Sequence, residues 1–420
     1  MFKFLNKRVA TSMVIIIVCA VLVGGIVVWQ YLEMRKGGKE ISETESSEEI
    51  TEDEKKEEPI TAFLAAVRDS SVVAIIYDRI EKKITHEKII NLDGLGLGTS
   101  GFEGSGCNDS VQYNTATNQI LLFVSNVSGY DGSSLTDAPY SGAIWTTSFN
   151  KDDKPQVVFI PEGNIRSWVT HSDKPIIYVL DWVYLTSPKA KRAEILEINL
   201  LSKEVRKIAS VSSDLIQGQH FKLVMSKDGN SIFQAVQMYK PGSIFQGAQS
   251  YKPDRILLRQ IDLVSGEVTI IMDLKDVPGH FDTDNLSPDE NVFVFFSGWL
   301  GEKDLRIRYL KEQKTEILIA SLAPANLNLW WSGDNSKLLL MKGTFIPFIY
   351  SIKEQTGESV DLIGQYPYPL AWAPARNYIL FEEGTYDNLR WNIFDLKATE
   401  VENIYSFPSF YSTVAARWIE

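Results

Sequence analysis

Leu286-Ser287-Pro288-Asp289-Glu290-Asn291 runs directly into VFVFFS at 292–297, and this pairing of a polar turn with an apolar run returns along the chain. Trp331-Ser332-Gly333-Asp334-Asn335-Ser336 precedes KLLLM, Trp372-Ala373-Pro374-Ala375-Arg376-Asn377 precedes YILFEE, and Met225-Ser226-Lys227-Asp228-Gly229-Asn230 precedes SIFQAV. Proline presets φ for a turn, Asp and Asn bond their own backbone, and Gly or Asn accepts a positive φ. Each copy therefore reads as the turn of a hairpin. A second hairpin follows each one, at 193–211, 256–274, 305–320, 346–364 and 390–407: an apolar run, a polar turn, then an alternating run. One unit is four strands in two hairpins. Weaker turns at 170–175 and 113–118 bring the copies to six. They recur at about 40–60 residues, the length of a four-stranded propeller blade.

The two ends of the domain complement each other. STVAARWIE (412–420) reads as a first strand ending at Trp418, and 60–91 reads as three strands lacking a first. A seventh blade drawing on both would close the ring and remove its open edges. The expected fold is all-β: a seven-bladed β-propeller over 59–420, with six or eight blades as alternative counts, preceded by one transmembrane α-helix. Insertions at 129–142 and 238–254 account for the longer early intervals.

The turn and the hairpin after it resemble the TolB-like, or WD40-like, β-propeller repeats of bacteria. The match is sharpest at 225–230, 286–291 and 331–336, while 372–377 lacks the Asp. The Gly-His and Trp-Asp pairs of WD40 repeats and the double glycine of kelch repeats are missing. Propellers of this type also occur fused to prolyl-peptidase-like hydrolases, so the resemblance implies a fold and leaves the activity open.

Val9 to Leu32 is a run of 24 residues without a charge. It exceeds the roughly 20 residues that span a bilayer. Lys3, Lys7 and Arg8 precede it, and Trp29 and Tyr31 lie at its far end like an interfacial belt. No small-residue cleavage site follows, which favours an uncleaved signal anchor over a signal peptide. Val18 before Cys19 argues against a lipoprotein signal. Residues 1–8 are expected in the cytoplasm and the propeller outside, with a cytoplasmic propeller as the alternative. Residues 33–58 form an acidic linker; its segment 40–58 carries ten acids and two lysines. Such a segment repels itself and serves as a tether. The chain is −12; removing the +5 of the first 39 residues and the −8 of 40–58 leaves about −9 for the domain. That balance argues against nucleic acid as a ligand.

The sequence assigns no catalytic, cofactor-binding or metal-ligating residue. Two cysteines, Cys19 and Cys107, and four scattered histidines form no zinc pattern. Gly96-Leu97-Gly98-Thr99-Ser100-Gly101 matches G-x-G-x-x-G, but more loop follows it where a dinucleotide site needs a helix. No G-x-S-x-G elbow occurs. Asp282-Thr283-Asp284 and Asp289-Glu290 pair carboxylates, which suits glycoside hydrolysis or calcium but suits turn capping better. Aromatic residues remain as ligand-face candidates: Trp330, adjacent to Trp331 and so on the opposite strand face, and Tyr366 and Tyr368 in the segment Tyr366-Pro367-Tyr368-Pro369. The reading is a membrane-anchored, extracytoplasmic binding or scaffolding module for a protein, peptide or envelope glycan. A hydrolase or lyase acting through channel carboxylates is the alternative, and it calls for several acids converging with displaced pKa values. Protease added to intact cells should cut the exposed linker and release a fragment of about 40 kDa. Protection until lysis would place the domain in the cytoplasm.

Overall fold

The computed structural model describes residues 61–68, 71–92, 110–125, 142–184, 191–211, 219–239, 253–275, 279–280, 285–297, 303–322, 324–342, 346–360, 367–373, 378–385, 388–407 and 412–419. The expected span at 9–32 and the linker at 33–58 lie outside these residues. Among the described residues no helix is long and apolar enough to cross a membrane.

The described strands form seven antiparallel four-stranded sheets, the blades of a propeller. Blades 1 to 6 occupy 111–159, 164–210, 219–275, 279–322, 324–359 and 368–406 in chain order. Blade 7 takes its first strand from Ser412–Ile419 and its other three from Thr61–Arg68, Ser71–Asp78 and Lys83–Asn91. Thr61 pairs with Ile419, Ala62 with Trp418 and Phe63 with Arg417, so one sheet joins residues from both sides of the domain. First strands lie against each other between blades 7 and 1, 1 and 2, 2 and 3, 5 and 6, and 6 and 7, which puts them around the axis.

Burial explains the run-like sequence of the second strands. A strand between two neighbouring blades is covered on both faces and needs apolar residues at every position, not at alternate ones. Val292–Ser297 is buried at five consecutive positions, and Thr61–Arg68 at six. Outermost strands such as Val268–Lys275 are mostly exposed. Apolar contact is concentrated between blades, with one cluster per seam. Phe63 and Ala65 of blade 7 meet Val111, Tyr113 and Ile120 of blade 1. Val294 and Phe296 of blade 4 meet Leu329, Trp331 and Leu338 of blade 5. Each fully buried Phe or Leu contributes roughly 1.5–3 kcal/mol.

The recurrent turn is held by one hydrogen-bond code. Ser226, Ser287 and Ser332 donate from Oγ to Asp228, Asp289 and Asp334 at 2.7, 2.5 and 2.7 Å. The same hydroxyls accept from the backbone N–H of Ser231, Val292 and Lys337, the first residues of the next strands. Each Asp then accepts from the N–H two residues on. The reversal needs a positive φ, met by Gly229 (67°), Glu290 (61°) and Asn335 (60°). Glutamate is an unfavourable choice there. Its carboxylate compensates by reaching the neighbouring blade, where Glu290 Oε1 accepts from Lys227 N at 2.6 Å.

Polar straps of this kind cross every seam. Arg417 donates to the Tyr113 carbonyl, from blade 7 to blade 1. Asn114 Nδ2 donates to Thr170 Oγ1 at 2.7 Å, and Leu223 N to Ser167 Oγ at 2.7 Å. The two indoles of blade 5 reach opposite ways: Trp331 Nε1 donates to Asn285 O of blade 4 at 3.2 Å, and Trp330 Nε1 to Leu370 O of blade 6 at 3.0 Å. Blades 6 and 7 are joined through Trp391, Thr413 and Glu382. Deleting 412–420 should strip blade 7 of its first strand and lower the melting temperature of the whole domain, because it also uncovers the cluster against blade 6. A thermal scan of that truncation matching the intact chain would sink this account of closure.

Candidate functional site

Register places equivalent residues of the seven blades in one frame. The backbone N–H at the end of the first strand or in its turn bonds the carbonyl of the second strand's first residue, as His171 does to Ile176, Ser226 to Ser231, Ser332 to Lys337 and Ala373 to Tyr378. Counted from there, the fifth residue of the second strand is Phe123, Leu180, Ala235, Phe296, Met341 and, in blade 7, Ala65. All six are apolar and almost completely buried. In blade 6 the fifth residue is Glu382.

Glu382 sits on the seam between blades 6 and 7. Its Oε2 accepts from Thr413 Oγ1 at 2.6 Å, and Thr413 Oγ1 accepts from Trp391 Nε1 at 2.8 Å. An indole N–H only donates, so it takes the hydroxyl's lone pair and sends the hydroxyl proton to the carboxylate. Three elements build this relay. Glu382 and Trp391 are direct partners on the second and third strands of blade 6, and Thr413 lies on the closing strand of blade 7. Tyr368, on the first strand, is the partner of Glu382 on its other side. The Tyr368 ring also meets Trp330 edge-on, with centroids 6.4 Å apart.

No cation compensates Glu382 among the described residues. The adjacent Glu383 is 3.6 Å from Arg390; Glu382 has the Thr413 hydroxyl. Burial pushes its carboxyl above the ordinary 4.5, and the Thr413 hydrogen bond opposes that shift. The residue nonetheless keeps part of its surface open.

Other acids divide into turn builders and isolated groups. The hydrogen bond from Ser226 holds Asp228 below the ordinary 3.8, and that from Ser332 does the same for Asp334. Asp289 is pushed up by burial but held low by Asn291 and Ser287. Asp228, Asp289, Glu290, Lys227 and Pro288 line a shallow groove between the turns of blades 3 and 4. Its two aspartates are occupied within their own turns. Burial also raises Asp181, which accepts from Gly163 N at 3.2 Å. Glu402 is pushed up by burial too, and it is paired with Arg79 at 3.2 Å. Asp181 lies in blade 2, Glu382 on the second strand of blade 6 and Glu402 on its outermost strand, so these acids do not converge. Among the described residues no three His, Cys, Asp or Glu side chains gather as metal ligands.

Of the aromatic candidates, the structure brings Trp330 and Tyr368 together and ties Trp330 to blade 6 through its indole. Tyr366, the glycine run at 96–101, Cys107, Asp282 and Asp284 lie outside the described residues. His171 is buried in the blade 2 turn and accepts from Asp173 N at 3.1 Å; burial lowers its pKa, so it serves the turn as a neutral ring. Sequence reading passed over Glu382, although one signal was present. YILFEE is the only one of the second-strand runs that places an acid at the fifth residue.

No protein-family model and no curated protein matches the sequence. Solved structures do. The periplasmic gluconolactonase PpgL of Pseudomonas aeruginosa is 12% identical over 86% of this chain and 99% of its own, with a TM-score of 0.51. A protein from Lactobacillus plantarum is 11% identical over 86% and 100%, with a TM-score of 0.50. TolB from Acinetobacter baumannii is 14% identical over 84% and 80%, with a TM-score of 0.39, too low to add to the comparison. At such identities the likeness is one of fold alone. The chain is a seven-bladed β-propeller.

A carboxyl whose pKa is raised by folding destabilises the fold above that raised value, and the cost disappears as pH falls to the unfolded value. Glu382→Gln should therefore melt higher than the parent at pH 7–8, with the difference shrinking toward pH 4.5, the ordinary glutamate value. A difference independent of pH would show that burial does not govern this carboxyl.

Proposed function

We propose that this chain is a binding or scaffolding module, held at a membrane by 9–32 and presenting its propeller on the extracytoplasmic side to a protein, peptide or envelope glycan. The observation that carries this reading is the distribution of carboxylates. The recurrent aspartates are spent on turn hydrogen bonds, and the acids with raised pKa stand on different blades or different strands. Acid–base chemistry on a substrate needs its groups within reach of one reacting centre. Binding needs only one presented surface, and the partly exposed Trp330 and Tyr368 meet where blades 5 and 6 adjoin, with Glu382 the backbone partner of Tyr368. Loops on a rigid scaffold are a common place for such surfaces.

Photo-crosslinking from position 368 of the full-length protein in its native membrane tests the reading. A discrete adduct, lost when Trp330 is also changed to Ala, is the expected result. Turnover of an envelope glycan by the wild type, abolished in Glu382→Gln, would replace the binding module with a hydrolase or lyase.

A further inference from the structure

Resting on the binding-module reading, we infer that Glu382 is the recognition carboxylate of the propeller and that it receives a cationic side chain, lysine or arginine, from a protein or peptide partner. The first support is positional. Six blades bury an apolar residue at this register position, packed toward the next blade: Ala65 against blade 1, Leu180 against blade 3, Phe296 against blade 5. A carboxylate there gives up that contact and bears a desolvation cost. Positions where a repeat breaks its own rule at a cost are where function is to be sought.

The second support is how little the fold does to offset the cost. Thr413 supplies one hydrogen bond to Oε2, and Oε1 has no partner among the described residues. A structural carboxylate in this protein looks different. Glu197 is engaged by Arg206 through both oxygens, at 3.1 and 2.9 Å, and Asp273 by Arg255 at 2.6 and 2.7 Å. Glu382 is held in position by the Trp391–Thr413 relay, yet among the described residues its charge has no cation. A partly desolvated carboxylate with a preset orientation binds a cation more strongly than an exposed one does.

The surroundings favour a cation over a neutral hydroxyl. Tyr368 is the backbone partner of Glu382 in the sheet, and its ring meets Trp330 across the other seam, that with blade 5. The domain itself carries about −9, which steers basic segments toward it. Thr413 and Trp391 act as positioning residues, since they reach the partner through Glu382 alone.

The test uses the full-length protein in nanodiscs and two probes, acetyl-Gly-Arg-Gly-amide and its citrulline counterpart, which keeps the shape and loses the charge. Affinities are read by chemical shift titration for wild type, Glu382→Gln and Glu382→Asp. The expected result is a preference for the arginine probe of about tenfold or more, erased by Gln and partly kept by Asp. Equal binding of both probes by the wild type, or an unchanged preference in Glu382→Gln, overturns the inference. The 368 crosslink separates the two claims. An adduct formed equally by wild type and Glu382→Gln leaves the binding module standing and removes Glu382 from it. The same adduct digested by glycosidases would make the partner a glycan and also overturn the cation assignment.

Discussion

The seam between two blades is the interaction on which everything else in this domain rests. A single four-stranded sheet has two faces and no means of covering either. Each blade therefore lends one face to the blade before it and the other to the blade after it, and the apolar clusters sit between blades. Such an arrangement is satisfied only when it closes. An open array would leave an apolar face at each end, and here the pairing of Ser412–Ile419 with Thr61–Arg68 supplies the last sheet. The requirement is a collective one, in which the stability of each blade depends on two neighbours.

Apolar contact alone does not set how one blade lies on the next, because it is not directional. The polar straps supply direction. They are placed near the axis or in the turns, where the backbone is already fixed by the Ser–Asp code, and they mostly join a side chain to a backbone group of the next blade. Glu290 shows how the two levels meet. It adopts a backbone conformation that suits Gly or Asn, and the carboxylate gained by that choice bonds the turn of blade 3. The same chemistry that makes the turn recognisable thus also orients the ring.

Much of this was legible in the residues. Continuous apolar runs after each turn correspond to strands covered on both faces, and the missing first strand of 60–91 matched the lone strand at 412–420. Adjacent Trp330 and Trp331 divide between two seams, as strand alternation requires. Glu382 was not legible in the same way. YILFEE ends in two acids, and at a strand end acids usually meet solvent. Only the backbone register shows that the first of them occupies an interior layer while the second pairs with Arg390. Glu290 escaped for a related reason, since its reach to Lys227 depends on how neighbouring turns stack.

Repetition makes a departure informative. In a fold with a single core, one partly buried glutamate has no reference against which to be judged. Here six equivalent positions state what the architecture asks for, and each answer is apolar. The cost of the seventh answer is visible in the upward pull on its pKa, and its fixed orientation in the Trp391–Thr413 relay. Were the relay only a strap, a neutral acceptor such as Gln would hold Thr413 without the charge. The blade 5 seam is held by an indole and a carbonyl with no charge at all. What a carboxylate adds over those solutions is attraction for a cation, and among the described residues that cation is not part of the chain.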